Sequence, residues 1–143
     1  MRDPGHEAAP LRIHPASDAD LARVYPWLDA MARTWRLPEA MRNGMHVALE
    51  EAVMNVATHG FDDPDAGDIV VRARLEDGAV TLVVEDGGRA FNPAVAVSPA
   101  RPANLMDAPP GGLGLILLRH YCKDIGYERV DGGNRLTLRF PIA

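Results

Sequence analysis

Glu51 and Asn55 stand four residues apart in a stretch of helical periodicity, so their side chains share one helix face, one turn from each other. A carboxylate there can take a proton or orient a nucleophile. An amide oxygen one turn later can ligate Mg²⁺, which favours oxygen donors and keeps several of its waters. Asp86 follows the apolar run Val80–Val84. A carboxylate at a strand end can accept a hydrogen bond from an exocyclic amine such as that of adenine, and Gly88 lets the backbone approach a flat ring closely. Gly112 and Gly114 precede Leu115-Ile-Leu-Leu118, so free N–H groups at a helix start can face an anion with the helix dipole behind them. Each group also has an ordinary use: a solvated Glu beside a mid-helix Asn, an Asp-Gly-Gly turn, a glycine hinge. The order of the three, each in a fitting local context, points to a nucleotide site.

The elements that must position these groups are legible from periodicity. Leu11-Arg-Ile13 reads as a short edge strand. Ser17-Asp-Ala-Asp20 offers an N-cap and an acidic first turn, and Leu21, Val24, Leu28, Met31 and Trp35 form one apolar stripe. Pro26 inside that stripe predicts a kink or the true helix start, and Leu37-Pro38 a break. A second helix is predicted from about Glu39 to His59, with Met41, Met45, Ala48, Leu49, Ala52, Val53 and Val56 inward and Glu50 on the surface. Ile69–Leu75 and Val80–Val84 alternate about Asp77-Gly78 as a hairpin. Pro93–Pro110 has no sustained period and is expected to be a lid or a disordered segment. Gly112 to about Cys122 reads as a third helix, and residues 125–130 and 136–140 as a closing hairpin around the turn Asp131–Asn134. Two consecutive hairpins predict a mostly antiparallel sheet of the α+β class with helices on one face.

A chain of 143 residues fits one domain, expected over residues 10–143 after a disordered tail of residues 1–9. No apolar run approaches the roughly 18 residues of a membrane span, and no signal core opens the chain. A net charge of −5 argues against a nucleic-acid binder held by phosphate neutralisation. The single Cys122 excludes an internal disulfide and fits a reducing cytoplasm. The glycine segment is neither a Walker loop, since no Gly-Lys-Ser/Thr follows, nor a Rossmann fingerprint, since no strand leads into it.

Glu51-x-x-x-Asn55 on a helix, Asp86-x-Gly88-x-x-Phe91-Asn92-Pro93 after a strand, and Gly112-x-Gly114-Leu115 opening a helix resemble the N box and the two glycine boxes of the GHKL ATP-binding fold, shared by gyrase B and histidine kinases. Glu50-Glu-Ala-Val-Met-Asn-Val-Ala-Thr-His-Gly60-Phe61 most resembles the anti-sigma factor serine/threonine kinases of bacterial partner switching, and the likeness runs over residues 10–142. It implies a two-layer α/β sandwich with a mixed, mostly antiparallel sheet. It further implies Glu51 as the base for a substrate serine, Asn55 as the Mg²⁺ ligand, and Asp86 and Gly88 at adenine. Gly112, Gly114 and Leu115 would lie at the phosphates of ATP, with a lid over about residues 93–111. Arg89 departs from the small or polar residue often found there, and a lysine-free lid leaves Arg101, Arg119 or a partner as the cation for the γ-phosphate. The partners implied are an anti-sigma factor antagonist of the STAS type and a sigma factor, with a homodimer among the assemblies allowed, and neither nucleic acid nor membrane. Two other readings stay open: a non-catalytic binding module switched by ATP, and the detached ATP-binding domain of a histidine kinase.

Overall fold

The computed structural model describes residues 6–15, 17–57, 67–88, 120–122 and 124–142. The expected lid, the glycine segment with Gly112, Gly114 and Leu115, and residues 58–66 with His59 and Gly60 lie outside them. Of the predicted third helix, only residues 120–122 are described: His120 and Tyr121 are helical and Cys122 is not. The chain forms β1 (His6–Glu7), β2 (Leu11–Ile13), α1 (Asp18–Ala22), α2 (Val24–Thr34), α3 (Glu39–Asn55), β3 (Ile69–Glu76), β4 (Ala79–Asp86), β5 (Asp124–Val130) and β6 (Gly133–Pro141).

Helix ends follow local chemistry. Ser17 caps α1, its Oγ accepting from the Asp20 N–H at 3.1 Å. The stripe from Leu21 to Trp35 is two helices rather than one, broken at Arg23. Pro26 falls in the first turn of α2, where its missing N–H costs nothing, so it marks the start that its position predicts. Leu37-Pro38 separates α2 from α3, with Arg36 in the left-handed region at φ 53°. The α-helical hydrogen bonding of α3 ends at Asn55, short of His59, and Val56 and Ala57 continue in a wider π-type turn.

The sheet has the order β1-β3-β4-β6-β5, with β2 also paired to β3, and every ladder among the described residues is antiparallel. Both hairpins close on two-residue turns with positive φ at both positions, Asp77-Gly78 and Asp131-Gly132, the geometry that matches strand twist. The β3–β4 turn sets Val71 opposite Val84 and Ala73 opposite Leu82. Residues 6–9, within the tail expected through residue 9, are tied to the fold. β1 pairs with β3, Ala8 donates to the Ala73 carbonyl, and the Trp27 indole donates to the Ala9 carbonyl at 2.8 Å. A backbone carbonyl at the sheet edge needs a donor and an indole N–H needs an acceptor, and this segment supplies both.

One sheet face carries Val71, Val84, Leu82 and Leu138 into a core closed by Leu28, Met45, Leu49 and Val53 from the helices. The other is solvated and carries ion pairs, with Glu85 between Arg72 at 2.6 Å and Arg135 at 3.3 Å. That asymmetry is the two-layer α+β arrangement expected of an antiparallel sheet with one covered face.

Two glycines test this packing. A Cβ on Gly133 would stand 2.4 Å from the Asp86 carbonyl oxygen, whereas one on Gly126 meets only the Thr137 side chain at 3.8 Å. Gly133→Ala should therefore cost about 1–3 kcal/mol through backbone displacement. Gly126→Ala should leave stability unchanged or slightly raised, since glycine is entropically unfavourable in a strand. Urea denaturation of the two variants checks both; equal midpoints would contradict the close β4–β6 approach.

Candidate nucleotide site

α3 and β4 decide where the candidate residues meet. α3 packs on β4. Ala40, Met41 and Gly44 near its start line a cavity together with Phe140 and Pro141, which pair with Val80 and Ala79 at the beginning of β4. The helix therefore runs toward the Asp86 end of that strand. Seventeen helical residues span about 25 Å and an eight-residue strand about 27 Å. On length, the last turn of α3, with Asn55, reaches toward the end of the sheet where Asp86 ends β4, and Glu51 lies one turn behind.

Asp86 is buried, 8% exposed, on the helix-facing side of β4. Its Oδ1 accepts from the Gly88 N–H at 2.8 Å and from the Asn134 amide at 2.9 Å. Oδ2 takes part in neither bond. Gly88, also buried, closes the turn that the Asp-Gly-Gly sequence suggests, so the turn reading holds and the candidate carboxylate is part of that turn. Asn134 was expected only as a turn residue; it is instead the second residue of β6 and is buried. The signal that finds it is register: the Asp131-Gly132 turn sets Arg129 opposite Asn134, and β4 sets Asn134 opposite Asp86.

Asn55 is 7% exposed, and its Nδ2 is buried without a hydrogen-bond partner among the described residues. Amide nitrogen and oxygen exchange places by a half-turn of χ2, so this orphaned position equally presents an oxygen. A buried amide with one end unsatisfied is costly unless a ligand meets it. The donor chemistry suits a hard cation such as Mg²⁺.

Glu51 is half-buried. Desolvation, and secondarily the like charge of the neighbouring Glu50, raise its carboxyl above the usual glutamate range. That makes it a stronger base than a solvated glutamate. Glu50 is exposed as predicted, and its carboxylate, with burial, pushes the Tyr25 hydroxyl up to about 12; Tyr25 stacks on His46 at 5.5 Å between ring centroids. The cavity at the opposite end of α3, about 420 Å³, contains none of the candidate groups. Cys122 lines it, and burial pushes that thiol up to about 12, so it is no nucleophile at neutral pH.

A half-buried carboxylate and a buried amide on one helix, and a buried Asp on the central strand of a two-layer antiparallel fold, are the candidate groups that the structure describes. The family model for the histidine kinase-like ATPase domain matches residues 14–140, and the chain belongs to that family. It is 36% identical over 112 residues to the serine/threonine-protein kinase BtrW of Bordetella bronchiseptica, across 78% of this chain and 79% of that protein. It is 27% identical over 100 residues to the serine-protein kinase RsbW of Bacillus mycoides, across 67% of this chain and 62% of that protein. The histidine kinase domain of the blue-light activated histidine kinase from Erythrobacter litoralis EL346 superposes with a TM-score of 0.56 at 17% identity, covering 87% of this chain and 60% of that one, and so shares the fold.

The raised Glu51 carboxyl makes a stability prediction with a definite sign. A carboxyl whose folded pKa lies above its unfolded value favours folding below the unfolded pKa, and that contribution is lost as pH rises through the folded pKa. At pH 7–8 wild type carries this charge at a cost, and Glu51→Gln does not. Glu51→Gln should therefore melt higher than wild type at pH 7–8, with the difference vanishing below the ordinary glutamate range, near pH 4. Thermal melts across that range check it; a Glu51→Gln protein that melts lower at pH 8 than wild type contradicts the desolvated base.

Proposed function

We propose that the chain is an ATP-dependent protein serine/threonine kinase that acts in partner switching, transferring the γ-phosphoryl of ATP to a serine of an anti-sigma factor antagonist of the STAS type and sequestering a sigma factor. Two relatives named as serine or serine/threonine kinases support the kinase reading, one of them 36% identical over most of both chains. The observation that carries it is Glu51, a carboxylate made more basic by burial, one helical turn before the buried amide of Asn55. A module that merely switched partners with ATP would not require a base at that place.

In this reading Glu51 accepts the proton of the substrate hydroxyl as its oxygen attacks the γ-phosphorus and the bond to the bridging oxygen of ADP breaks. Asp86 accepts from the adenine amine through Oδ2, while Gly88 lets the backbone lie against the ring. Asn55 would hold Mg²⁺, which supplies charge neutralisation at the phosphates when bound. Gly112, Gly114 and Leu115 would present N–H groups to those phosphates, and residues 93–111 would cover them. Phosphoryl transfer needs mainly positioning and charge neutralisation, so this modest set of side chains is sufficient chemistry. No described helix is long and apolar enough to cross a membrane. A cytoplasmic enzyme acting on soluble protein partners, as a monomer or homodimer, is the setting we propose.

Three substitutions separate the roles. Asp86→Asn should weaken ATP binding by about 1–3 kcal/mol, the range for a lost charge-assisted hydrogen bond. Glu51→Ala should abolish phosphotransfer yet leave ATP affinity within about twofold, because the base meets the acceptor hydroxyl and not the nucleotide. Asn55→Ala should lose both activity and the Mg²⁺ dependence of nucleotide affinity. Calorimetry and transfer of radiolabel from ATP to a purified STAS-type antagonist measure these effects. If wild type transfers no phosphate while ATP still alters its affinity for the antagonist, the binding-module reading replaces the kinase.

A further inference from the structure

Three directly opposed residues form a row across three strands on the helix-facing side of the sheet: Asp86 on β4, Asn134 on β6 and Arg129 on β5. Arg129 Nη1 donates to Asn134 Oδ1 at 3.1 Å and to the Gly88 carbonyl at 2.7 Å. The Tyr127 hydroxyl donates to the same Asn134 oxygen. Asn134 in turn donates from Nδ2 to Asp86 Oδ1. A guanidinium can only donate and an ionised carboxylate can only accept, so the amide between them has one allowed orientation. Arg129 thus grips the Asp86–Gly88 turn twice, through the Gly88 carbonyl and through Asn134.

We propose that Arg129 is a positioning residue that sets base selectivity: by fixing the Asn134 amide and the Gly88 carbonyl it holds Asp86 with Oδ1 satisfied and Oδ2 turned to a purine amine donor. The inference rests on the proposed reading of Asp86 as the adenine-binding carboxylate. Guanine carries a carbonyl acceptor where adenine carries its amine, so a fixed acceptor favours ATP over GTP and one free to rotate discriminates less. Arg129 is largely exposed and needs no partner in the core, so its removal leaves the hydrophobic packing intact. Lysine keeps a cationic donor but on a flexible stem, without the planar guanidinium that fixes the direction of the two Nη1 hydrogens.

The test is the ratio of ATP to GTP affinities, by calorimetry, for wild type, Arg129→Ala, Arg129→Lys and Asp86→Asn, with melting temperatures alongside. Arg129→Ala should lower the ATP/GTP ratio about fivefold to tenfold with a melting temperature close to wild type, and Arg129→Lys should recover part of it. A ratio unchanged in Arg129→Ala but reduced in Asp86→Asn overturns the role of Arg129 and leaves adenine at Asp86. A ratio unchanged in Asp86→Asn overturns the adenine reading and this inference with it. Equal losses of ATP and GTP affinity in Arg129→Ala, accompanied by a lower melting temperature, also overturn it, since they mark a structural contribution alone.

Discussion

A carboxylate buried at the end of a central strand is tolerable only if its surroundings hydrogen bond it, and Asp86 is such a group. Its Oδ1 is met by the Gly88 N–H from its own turn and by Asn134 from the neighbouring strand. That second bond requires β6 to come so close that only glycine fits at position 133. It also requires the β5–β6 hairpin to be in one register, which the Asp131-Gly132 turn enforces. Turn chemistry, strand register and a glycine without steric room therefore converge on one buried oxygen.

The second constraint is one of length. α3 is about as long as β4, and its buried stripe of Met45, Ala48, Leu49, Ala52 and Val53 fixes its rotation on the sheet. Rotation places Asn55 at the rim of the apolar stripe and Glu51 half out of it. Half-burial has opposite consequences for stability and chemistry. It raises the cost of ionising Glu51, and by the same desolvation it raises the basicity that a proton acceptor needs. The orphaned amide of Asn55 belongs to the same pattern, since unsatisfied polar groups persist where a ligand rather than the protein meets them.

Much of this was legible in the sequence because the signals were local. The period-3.6 stripe of α3, the alternation of β3 and β4 and the Asp-Gly hairpin turns each depend on residues close in the chain, and each element formed with the inward face predicted. What was missed depended on longer-range pairing. His6–Glu7 resembles a polar tail until the vacant edge of β3 gives it a partner. Asn134 looks like turn chemistry after Asp-Gly-Gly, and only β4 on its far side makes it a support for Asp86. Arg129 carried no signal beyond its place two residues before the turn, although counting outward from Asp131-Gly132 pairs it with Asn134. The π-type turn at Val56–Ala57 that follows Asn55 is a further feature that periodicity does not report, and the expected helix end at His59 lies outside the described residues. Gly112, Gly114 and Leu115 were read from local glycine chemistry, and their placement lies outside the described residues.

The central claim is that ATP lies at the end of the sheet where Asp86 and the last turn of α3 meet. Amide chemical shifts of the full chain, titrated with Mg-ATP, test it most directly. The Gly88 backbone amide and the side-chain amides of Asn55 and Asn134 should move with the binding isotherm, while Asp77 and Gly78, at the far end of β3 and β4, stay in place. Saturable shifts at Asp77 and Gly78 or around Tyr121, with Gly88, Asn55 and Asn134 unmoved, would contradict it.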